Sequence, residues 1–142
     1  MNVNIREAKM KDFEQINELM QDLLGDPIFK RKKVFDEALS SENYIPLVAE
    51  VNGDIVGFLD IWHFPDVGHG ATLGVIENFI VSERYRKMGI GGKLLEEGVE
   101  IAKKQKFHEL HVWTEFKNRN AIKMYKKNGF INENLLLERE FR

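Results

Sequence analysis

Apolar residues are spaced along the chain with two different periods, which predict helices and strands. Helical spacing runs from Phe13 to Leu24, with Asp12 as the predicted cap and Gly25-Asp26-Pro27 as the predicted end. Similar spacing predicts a second helix directly afterwards and two more in the second half of the chain. The predicted helices are Phe13–Leu24, Ile28–Leu39, Gly89–Lys104 and Arg119–Lys127.

Alternating or continuous apolar runs predict strands between these helices. Asn52-Gly53 separates two such runs, and this dipeptide is the strongest short signal for a β-hairpin. Together with the strand that follows, the hairpin makes an antiparallel meander. The predicted strands are Val3–Glu7, Ile45–Val51, Asp54–Trp62, Thr72–Val81, Glu109–Thr114, Phe130–Ile131 and Leu135–Phe141.

The segment from His63 to Gly70 is predicted to be a loop, because it contains proline and glycine between two strands. His63 and His69 are the kind of side chain that binds a metal ion. They lack a carboxylate at a spacing typical of metal ligands, which makes the case weak. We therefore predict no metal site.

Length and composition are those of an ordinary globular protein. The 142 residues are 43% hydrophobic and 31% charged, which fits one domain spanning residues 1–142 with its own hydrophobic core. The net charge of −2 argues against nucleic acid or a membrane surface as the partner. The chain has no cysteine, which excludes disulfides, thiolate zinc sites and cysteine nucleophiles.

The start of the chain has no apolar core of the kind found in secretory signals. No stretch of the sequence approaches the length of a transmembrane helix. A cytoplasmic location is the default prediction.

The segment from Arg86 to Gly92 combines basic residues and three glycines between a predicted strand and a predicted helix. Backbone N–H groups at a helix start bind phosphate oxygens, and glycine lets the ligand approach closely. The dinucleotide fingerprint fails here because its third glycine falls on Leu94. The Walker loop fails as well, because Leu94 stands where it needs serine or threonine. A tight turn with a solvated basic flank is the alternative.

Glu77 is the only ionisable residue in a row that strict alternation places on one face of a strand, with Leu73, Val75, Phe79 and Val81. A carboxylate in such a row is expected to be partly desolvated. Desolvation raises the pKa of a carboxyl group toward the range of a general base. A glutamate paired with a neighbouring cation, or one at a wet sheet edge, is the alternative.

Two motifs occur in a fixed order and context: Arg86-x-x-Gly89-x-Gly91 after a strand, and Asn118-x-x-Ala121-x-x-x-Tyr125-x-x-x-Gly129-Phe130. In these motifs the chain resembles the GNAT superfamily of acyl-CoA-dependent N-acyltransferases. The resemblance implies an α/β fold of the α+β type, with a mixed, mostly antiparallel sheet flanked by helices. It also implies a splay between the fourth and fifth strands, Thr72–Val81 and Glu109–Thr114.

The resemblance implies that acetyl-CoA, as co-substrate and without a metal, lies in the splay. Main-chain groups of the fourth strand are expected to pair with the pantetheine arm and to polarise the thioester carbonyl. The expected cofactor-binding residues are Phe79, Ile80, Val81, Arg86, Lys87, Met88, Gly89, Ile90, Gly91, Gly92, Asn118, Asn120 and Tyr125.

The resemblance also assigns catalytic roles. Tyr125 matches the residue that protonates the leaving thiolate, with packing against the cofactor as the alternative. Glu77 is the candidate base, acting directly or through water, or by orienting the substrate. Asn118 is expected to contact the cofactor arm, to cap its helix, or to do both.

The predicted activity is acetyl transfer to a primary amine of a small molecule or peptide, by direct attack within a ternary complex. An acetyl-CoA-binding regulatory module with little turnover is the alternative. A homodimer remains open, because terminal strands are exposed edges. Acidic contacts for a cationic acceptor are predicted from Asp26, Asp36, Asp60, Asp66 and Glu77.

Overall fold

The computed structural model describes residues 1–25 and 30–141. Among these residues, none of the helices combines the length and the apolar character needed to cross a bilayer. The strands are β1 (Asn4–Glu7), β2 (Tyr44–Val51), β3 (Asp54–Asp66), β4 (Ala71–Val81) and β5 (Glu109–Val112), and the α-helices are α1 (Phe13–Leu24), α2 (Lys30–Leu39), α3 (Ile90–Lys104) and α4 (Arg119–Lys127).

The strands of the described residues form one sheet in the order β1-β2-β3-β4-β5. The first three pairings are antiparallel, and β4 pairs with β5 in parallel. The parallel pairing needs a crossover, which α3 provides between the two strands. This mixed, mostly antiparallel sheet with flanking helices confirms the predicted fold class.

The hairpin between β2 and β3 turns at the predicted dipeptide. Asn52 has a φ of 52° and Gly53 a φ of 85°, so both residues lie in the left-handed region. A two-residue turn of this kind needs positive φ at both central positions, and Asn-Gly adopts them at little cost. The sequence prediction of this hairpin is confirmed.

Alternate residues of β3 pack into apolar clusters on opposite faces of the sheet. Phe58 packs with Phe35 of α2, with ring centroids 6.4 Å apart. Leu59 lies on the other face with Leu94 of α3. Gly98 brings α3 close to the sheet, since a Cβ there would lie 3.5 Å from Leu59 Cδ2. The sheet is therefore covered on both faces along its central strands.

Asp12 lies at the start of α1 but does not cap it as predicted, since no capping hydrogen bond from its side chain occurs in the described residues. Its carboxylate instead accepts two hydrogen bonds from Arg6, of 2.8 and 2.9 Å, and one from Lys9 N. The guanidinium of Arg6 lowers the pKa of Asp12. Asp12 thus ties β1 to the turn before α1.

The second helix is confirmed from Lys30 onward, and the predicted residues Ile28 and Phe29 lie outside the described part. The predicted loop from His63 to Gly70 is wrong in its first half, because β3 continues to Asp66 and pairs with Ala71. Cross-strand pairing with β4 extends the strand past a proline that locally favours a loop.

The predicted strands at Phe130–Ile131 and Leu135–Phe141 are wrong. Residues 130–141 contain no strand in the described structure, and Leu137 and Phe141 are each 82% exposed. A strand is stable only when a neighbour accepts and donates its hydrogen bonds. Nothing among the described residues pairs with this segment, so its apolar pattern alone does not make it a strand.

Candidate active site

The pairing of β4 with β5 ends well before β4 itself ends. The last paired residues are Ile76 and Val112, whereas β4 continues to Val81. Over this continuation, β4 stays paired with β3 on its other side. From residue 77 to its end, β4 therefore has an open edge on the side of β5, with no strand partner there among the described residues. The resemblance to the GNAT superfamily implies a splay at this point in the sheet.

A β-bulge in β4 lies at the start of this open edge. The register shifts so that Asp60 of β3 opposes Asn78 while Ile61 opposes Ile76, which leaves Glu77 as the extra residue. Ile76 and Phe79 consequently both pack toward α3. Strict alternation is thus broken, and the predicted common face of Leu73, Val75, Glu77, Phe79 and Val81 is wrong.

Asp60, in the neighbouring strand β3, stabilises the bulge. Its carboxylate is 2% exposed and accepts hydrogen bonds from Tyr44 Oη at 2.6 Å and from Asn78 N at 2.7 Å. Burial raises the pKa of Asp60, while the hydrogen bonds from Tyr44 and Asn78 act in the opposite direction. The predicted contact of Asp60 with a cationic acceptor is wrong, because the carboxylate is buried and already paired.

The side chain of Glu77 is exposed at the bulge. The predicted desolvation of this carboxylate in an apolar row is therefore wrong. The bulge is the physical reason, because the extra residue is turned out of the packed face. Glu77 nevertheless lies at the point where β4 begins its open edge, so an incoming molecule can reach its carboxylate.

The start of α3 presents backbone donors beside this edge. Gly89 precedes the helix with a φ of 83°, and the first helical hydrogen bond runs from Lys93 N to Gly89 O at 3.1 Å. The N–H groups of Ile90, Gly91 and Gly92 precede that bond and have no partner within the helix. In the described residues, no side chain caps this helix start. The arrangement is suited to an anion.

Positive charge surrounds the same helix start. Arg86 and Lys87 are exposed in the turn before α3, and Lys93 is exposed in its first turn. Arg86 Nε donates to Val81 O at 3.2 Å, which ties the turn to the end of β4. With no acidic residue in the first turn of α3, the helix dipole and these side chains attract negative charge together.

The ring of Tyr125, in α4, packs close to Phe79 at the open edge of β4. Its ring centroid is 6.3 Å from that of Phe79 and 6.0 Å from that of Phe130. Burial raises the pKa of the Tyr125 phenol above its ordinary value. The phenol therefore stays protonated at neutral pH and can donate a proton.

β4, α3 and α4 meet at Gly91. A Cβ at Gly91 would lie 3.7 Å from Phe79 Cζ, from Val81 Cγ2 and from Met124 Sδ. The structure thus brings the β4 edge, the glycine-rich helix start and the helix of Tyr125 to one place.

Asn118 and Asn120 stand at the exposed start of α4. Asn118 occupies the predicted cap position, but no capping bond of its side chain occurs in the described residues. Its Nδ2 donates instead to Thr114 Oγ1 at 3.2 Å. Asn120 is exposed one turn before Met124. Both side chains are exposed.

Comparisons with known proteins identify the family. The family model described as "Acetyltransferase (GNAT) family" matches residues 5–130. The chain belongs to the GNAT acetyltransferase family. It is 32% identical over 133 residues to an N-alpha-acetyltransferase from Sulfurisphaera tokodaii, covering 89% of this chain and 78% of the relative. This GNAT protein is therefore an N-acetyltransferase, of a family that generally uses acetyl-CoA as co-substrate.

Two further comparisons extend the range of relatives. A spermine/spermidine N(1)-acetyltransferase from Bacillus subtilis is 28% identical over 102 residues, covering 70% of this chain and 67% of the relative. A solved structure described as a transcriptional regulator from Bacillus halodurans C-125 has a TM-score of 0.87 and 26% identity. The two chains are covered to 99% and 100%. The two folds thus match over 99% of this chain.

Sequence reasoning missed the role of Asp60. One signal was available: Asp60 is a single acid within the apolar run from Gly57 to Trp62. A charged residue in such a run is buried only when it is hydrogen-bonded. The bulge that it stabilises depends on cross-strand register, which local pattern does not reveal.

Proposed function

We propose that this GNAT acetyltransferase moves the acetyl group of acetyl-CoA to a primary amine of a small molecule or peptide. The amine attacks directly in a ternary complex, without a covalent enzyme intermediate. One observation carries the proposal: the open edge of β4 meets both the uncapped start of α3 and the ring of Tyr125. The chain has no cysteine that could carry an acyl group.

The diphosphate of the co-substrate is assigned to the start of α3. Main-chain N–H groups of the turn and first helical residues supply fixed donors, and Arg86 flanks them. Glycine at three of these positions keeps side chains from blocking the approach. The residues assigned to this contact are Arg86, Lys87, Met88, Gly89, Ile90, Gly91 and Gly92.

The pantetheine arm is assigned to the open edge of β4. Phe79, Ile80 and Val81 are extended and paired with β3, and main-chain groups alternate in direction along a strand, so only alternate residues of the three direct their N–H and C=O groups toward β5. When bound, acetyl-CoA supplies an acyl group activated as a thioester. An N–H of this strand stabilises the negative charge that develops on the thioester oxygen. Asn118 and Asn120 are assigned to the arm from the start of α4.

Tyr125 is assigned the role of general acid. Its phenol is half-buried beside Phe79, and burial raises its pKa, so it enters the reaction protonated. A neutral phenol close to a leaving sulfur can transfer its proton to the thiolate as the bond breaks.

Glu77 is assigned to the amine. Its exposed carboxylate at the bulge is accessible to a cationic acceptor and attracts it. There it removes the proton of the ammonium group, directly or through water, or orients the amine. Holding amine and thioester together supplies much of the rate in either case.

The Tyr125 assignment is tested by thiol release with a reactive amine. Tyr125→Phe should lower kcat by about 10²–10⁴-fold, as loss of a general acid does, with little change in CoA affinity. Tyr85→Phe is the matched control and should retain turnover, because Tyr85 belongs to the short helical turn Glu83–Tyr85, which precedes the residues assigned to the diphosphate. Equal turnover of Tyr125→Phe and the native chain would remove Tyr125 from this role.

The Glu77 assignment is tested by the pH dependence of the rate. Glu77→Gln should depress the limb of the profile that rises with pH, because the amide cannot accept a proton. Glu83→Gln, an exposed glutamate beyond the end of β4, is the control. An unaltered profile for Glu77→Gln would assign the proton transfer to water.

The acceptor class is tested with amines suggested by the relatives. The relatives include an N-alpha-acetyltransferase and a spermine/spermidine acetyltransferase, so peptides with free N-termini and spermidine are the first two probes. The higher kcat/KM identifies the preferred class.

A regulatory module that binds acetyl-CoA with little turnover is the second candidate. Its support is the similarity to a structure described as a transcriptional regulator. Binding of CoA without thiol release for any amine of the panel would favour this candidate. Turnover with one amine would exclude it.

A further inference from the structure

Most histidines of the chain gather at the end of the sheet opposite the splay. His69 lies in the turn between β3 and β4, His108 directly precedes β5, and His111 lies within β5. Asp66 and Glu109 stand among them. The backbone fixes the two segments to each other, because His108 N donates to Thr72 O at 2.8 Å.

The position of His69 is set by a carboxylate behind it. His69 Nδ1 lies 2.6 Å from Asp66 Oδ2, and His69 N donates to the same oxygen at 2.8 Å. A carboxylate oxygen is an acceptor, so Nδ1 carries the proton. The other ring nitrogen, Nε2, is therefore the one that faces Glu109, with its Oε2 at 3.5 Å.

This pair of atoms is suited to a positive charge held between or upon them. In neutral His69 with its proton on Nδ1, Nε2 bears a lone pair and faces an anionic oxygen. Two electron-rich atoms at this separation repel unless a proton or a metal ion lies between them. His108 completes the group, since its ring centroid is 5.1 Å from that of His69. One ligand atom from each of His69, His108 and Glu109 lies within 4.8 Å of the others.

We propose that His69, His108 and Glu109 bind a divalent transition-metal ion of the zinc type. Two imidazoles and one carboxylate are a ligand set that Zn²⁺ accepts, with solvent in the fourth position. Asp66 supplies the carboxylate behind a ligating histidine that orients such rings in metal sites. The side chains of His69 and His108 are exposed, so small rotations can bring the ligand atoms to bonding distance.

The ion would join two segments that are distant in the sequence. It would link the turn after β3 to the start of β5, at the end where β4 and β5 are paired. The splay opens at the other end of the same two strands. The site is therefore separate from the acetyl-transfer centre, and its existence does not depend on the proposed function.

The direct test is a calorimetric titration of the tag-free full chain with ZnCl₂ after chelator treatment. One Zn²⁺ should bind per chain, and Mg²⁺ should not compete, because imidazole ligands favour zinc over magnesium. Zinc should also raise Tm of the native chain, since it binds the folded state. Absence of Zn²⁺ binding would overturn the proposal and leave a proton as the bridging charge.

Substitutions decide whether the named ligands hold the ion. His69→Ala and Glu109→Gln should each abolish both the binding heat and the rise in Tm. Asp66→Asn should weaken binding by about 10–100-fold, as changes behind a ligand do. His63→Gln is the control and should bind as the native chain does, because His63 packs on Phe107 at 5.0 Å between ring centroids.

X-ray absorption of the zinc-loaded chain gives an answer that does not depend on any variant folding. The expected first shell has two nitrogens at about 2.0–2.1 Å and carboxylate or water oxygens at about 2.0–2.2 Å. Zinc binding that survives both His69→Ala and Glu109→Gln, or a shell without imidazole, would place the ion elsewhere and overturn the proposal.

Discussion

The centre of the sheet and the C-terminal part of the chain differ sharply in how well they are packed. In β2 and β3, Val48, Ala49, Phe58, Leu59 and Ile61 are all 0% exposed. After Ala102, by contrast, no residue in the described range 103–141 is fully buried. α4 and β5 therefore pack against the core through residues that are only partly buried.

The well-packed region stabilises the fold, whereas the less well-packed C-terminal region supplies the remaining residues of the candidate site. β4 and α3 position the open edge and the uncapped helix start from within the core. Tyr125 comes instead from α4, which has no buried residue, and Asn118 directly precedes that helix. Weakly packed elements open and close at lower free-energy cost. We expect the C-terminal part to become more ordered when CoA binds.

The largest expected loss of stability follows from removing the side chain of a leucine at the centre of the sheet. Leu59→Ala should lower the free energy of unfolding by about 3 kcal/mol, because it leaves a cavity against α3. Leu137→Ala is the matched change in the C-terminal segment and should cost less than about 0.5 kcal/mol, since Leu137 is exposed. Urea unfolding measures both.

A similar decrease in the free energy of unfolding for Leu59→Ala and Leu137→Ala would contradict the difference in packing between the sheet centre and the C-terminal segment. It would show that the C-terminal segment is buried in solution, for example against a second copy of the chain.

A smaller loss of unfolding free energy is expected on removing the buried carboxylate of Asp60, which bonds to the bulge at Asn78. Asp60→Ala should destabilise the chain by about 2 kcal/mol, because the Tyr44 hydroxyl and Asn78 N–H lose their acceptor. Burial of the carboxylate is itself unfavourable, which limits the loss. Asp54→Ala, at the exposed start of the same strand, is the control and should be nearly neutral in urea unfolding.

The smallest effect is a pH dependence from the same group. The folded-state pKa of Asp60 is raised, so the folded chain holds this proton above the pKa of the unfolded chain. The stability gained from that proton is present at low pH and is lost as pH rises through the folded-state pKa. The unfolding free energy of the native chain should therefore fall relative to that of Asp60→Asn as pH increases from about 4. Parallel curves in urea unfolding would show that Asp60 is not desolvated.

The sequence predicted the fold wherever local pattern decides the structure. The period of α1 and the Asn52-Gly53 turn each specify their element within a few residues. The motif around Gly89 predicted the strand, turn and helix that now lie beside the β4 edge. The ligand contacts of these residues stay predictions, as do the cytoplasmic location and a homodimer.

The rest depends on register and on partners that are distant in the sequence. The bulge at Glu77 arises from pairing with β3. Strict alternation therefore predicted a partly buried Glu77 side chain, whereas the side chain is exposed. The grouping of His69 with Glu109 arises from strand topology, and no spacing rule reveals it. Leu135–Phe141 has a strand-like pattern but no partner among the described residues.

The central claim is that the start of α3, beside the open edge of β4, binds the diphosphate of CoA. Gly89 and Gly53 have nearly equal φ values, 83° and 85°, and no described heavy atom beyond the adjacent residues lies within 4 Å of a Cβ built on either. A Cβ therefore strains both positions alike, by about 1–2 kcal/mol.

Calorimetric titration with CoA of the native chain, Gly89→Ala and Gly53→Ala tests the claim most directly. The native chain and Gly53→Ala should bind one CoA with the same affinity, and Gly89→Ala should bind about tenfold more weakly or worse, since the strained turn no longer aims its N–H groups together. No binding by the native chain, or equal affinity in all three proteins, would contradict the account.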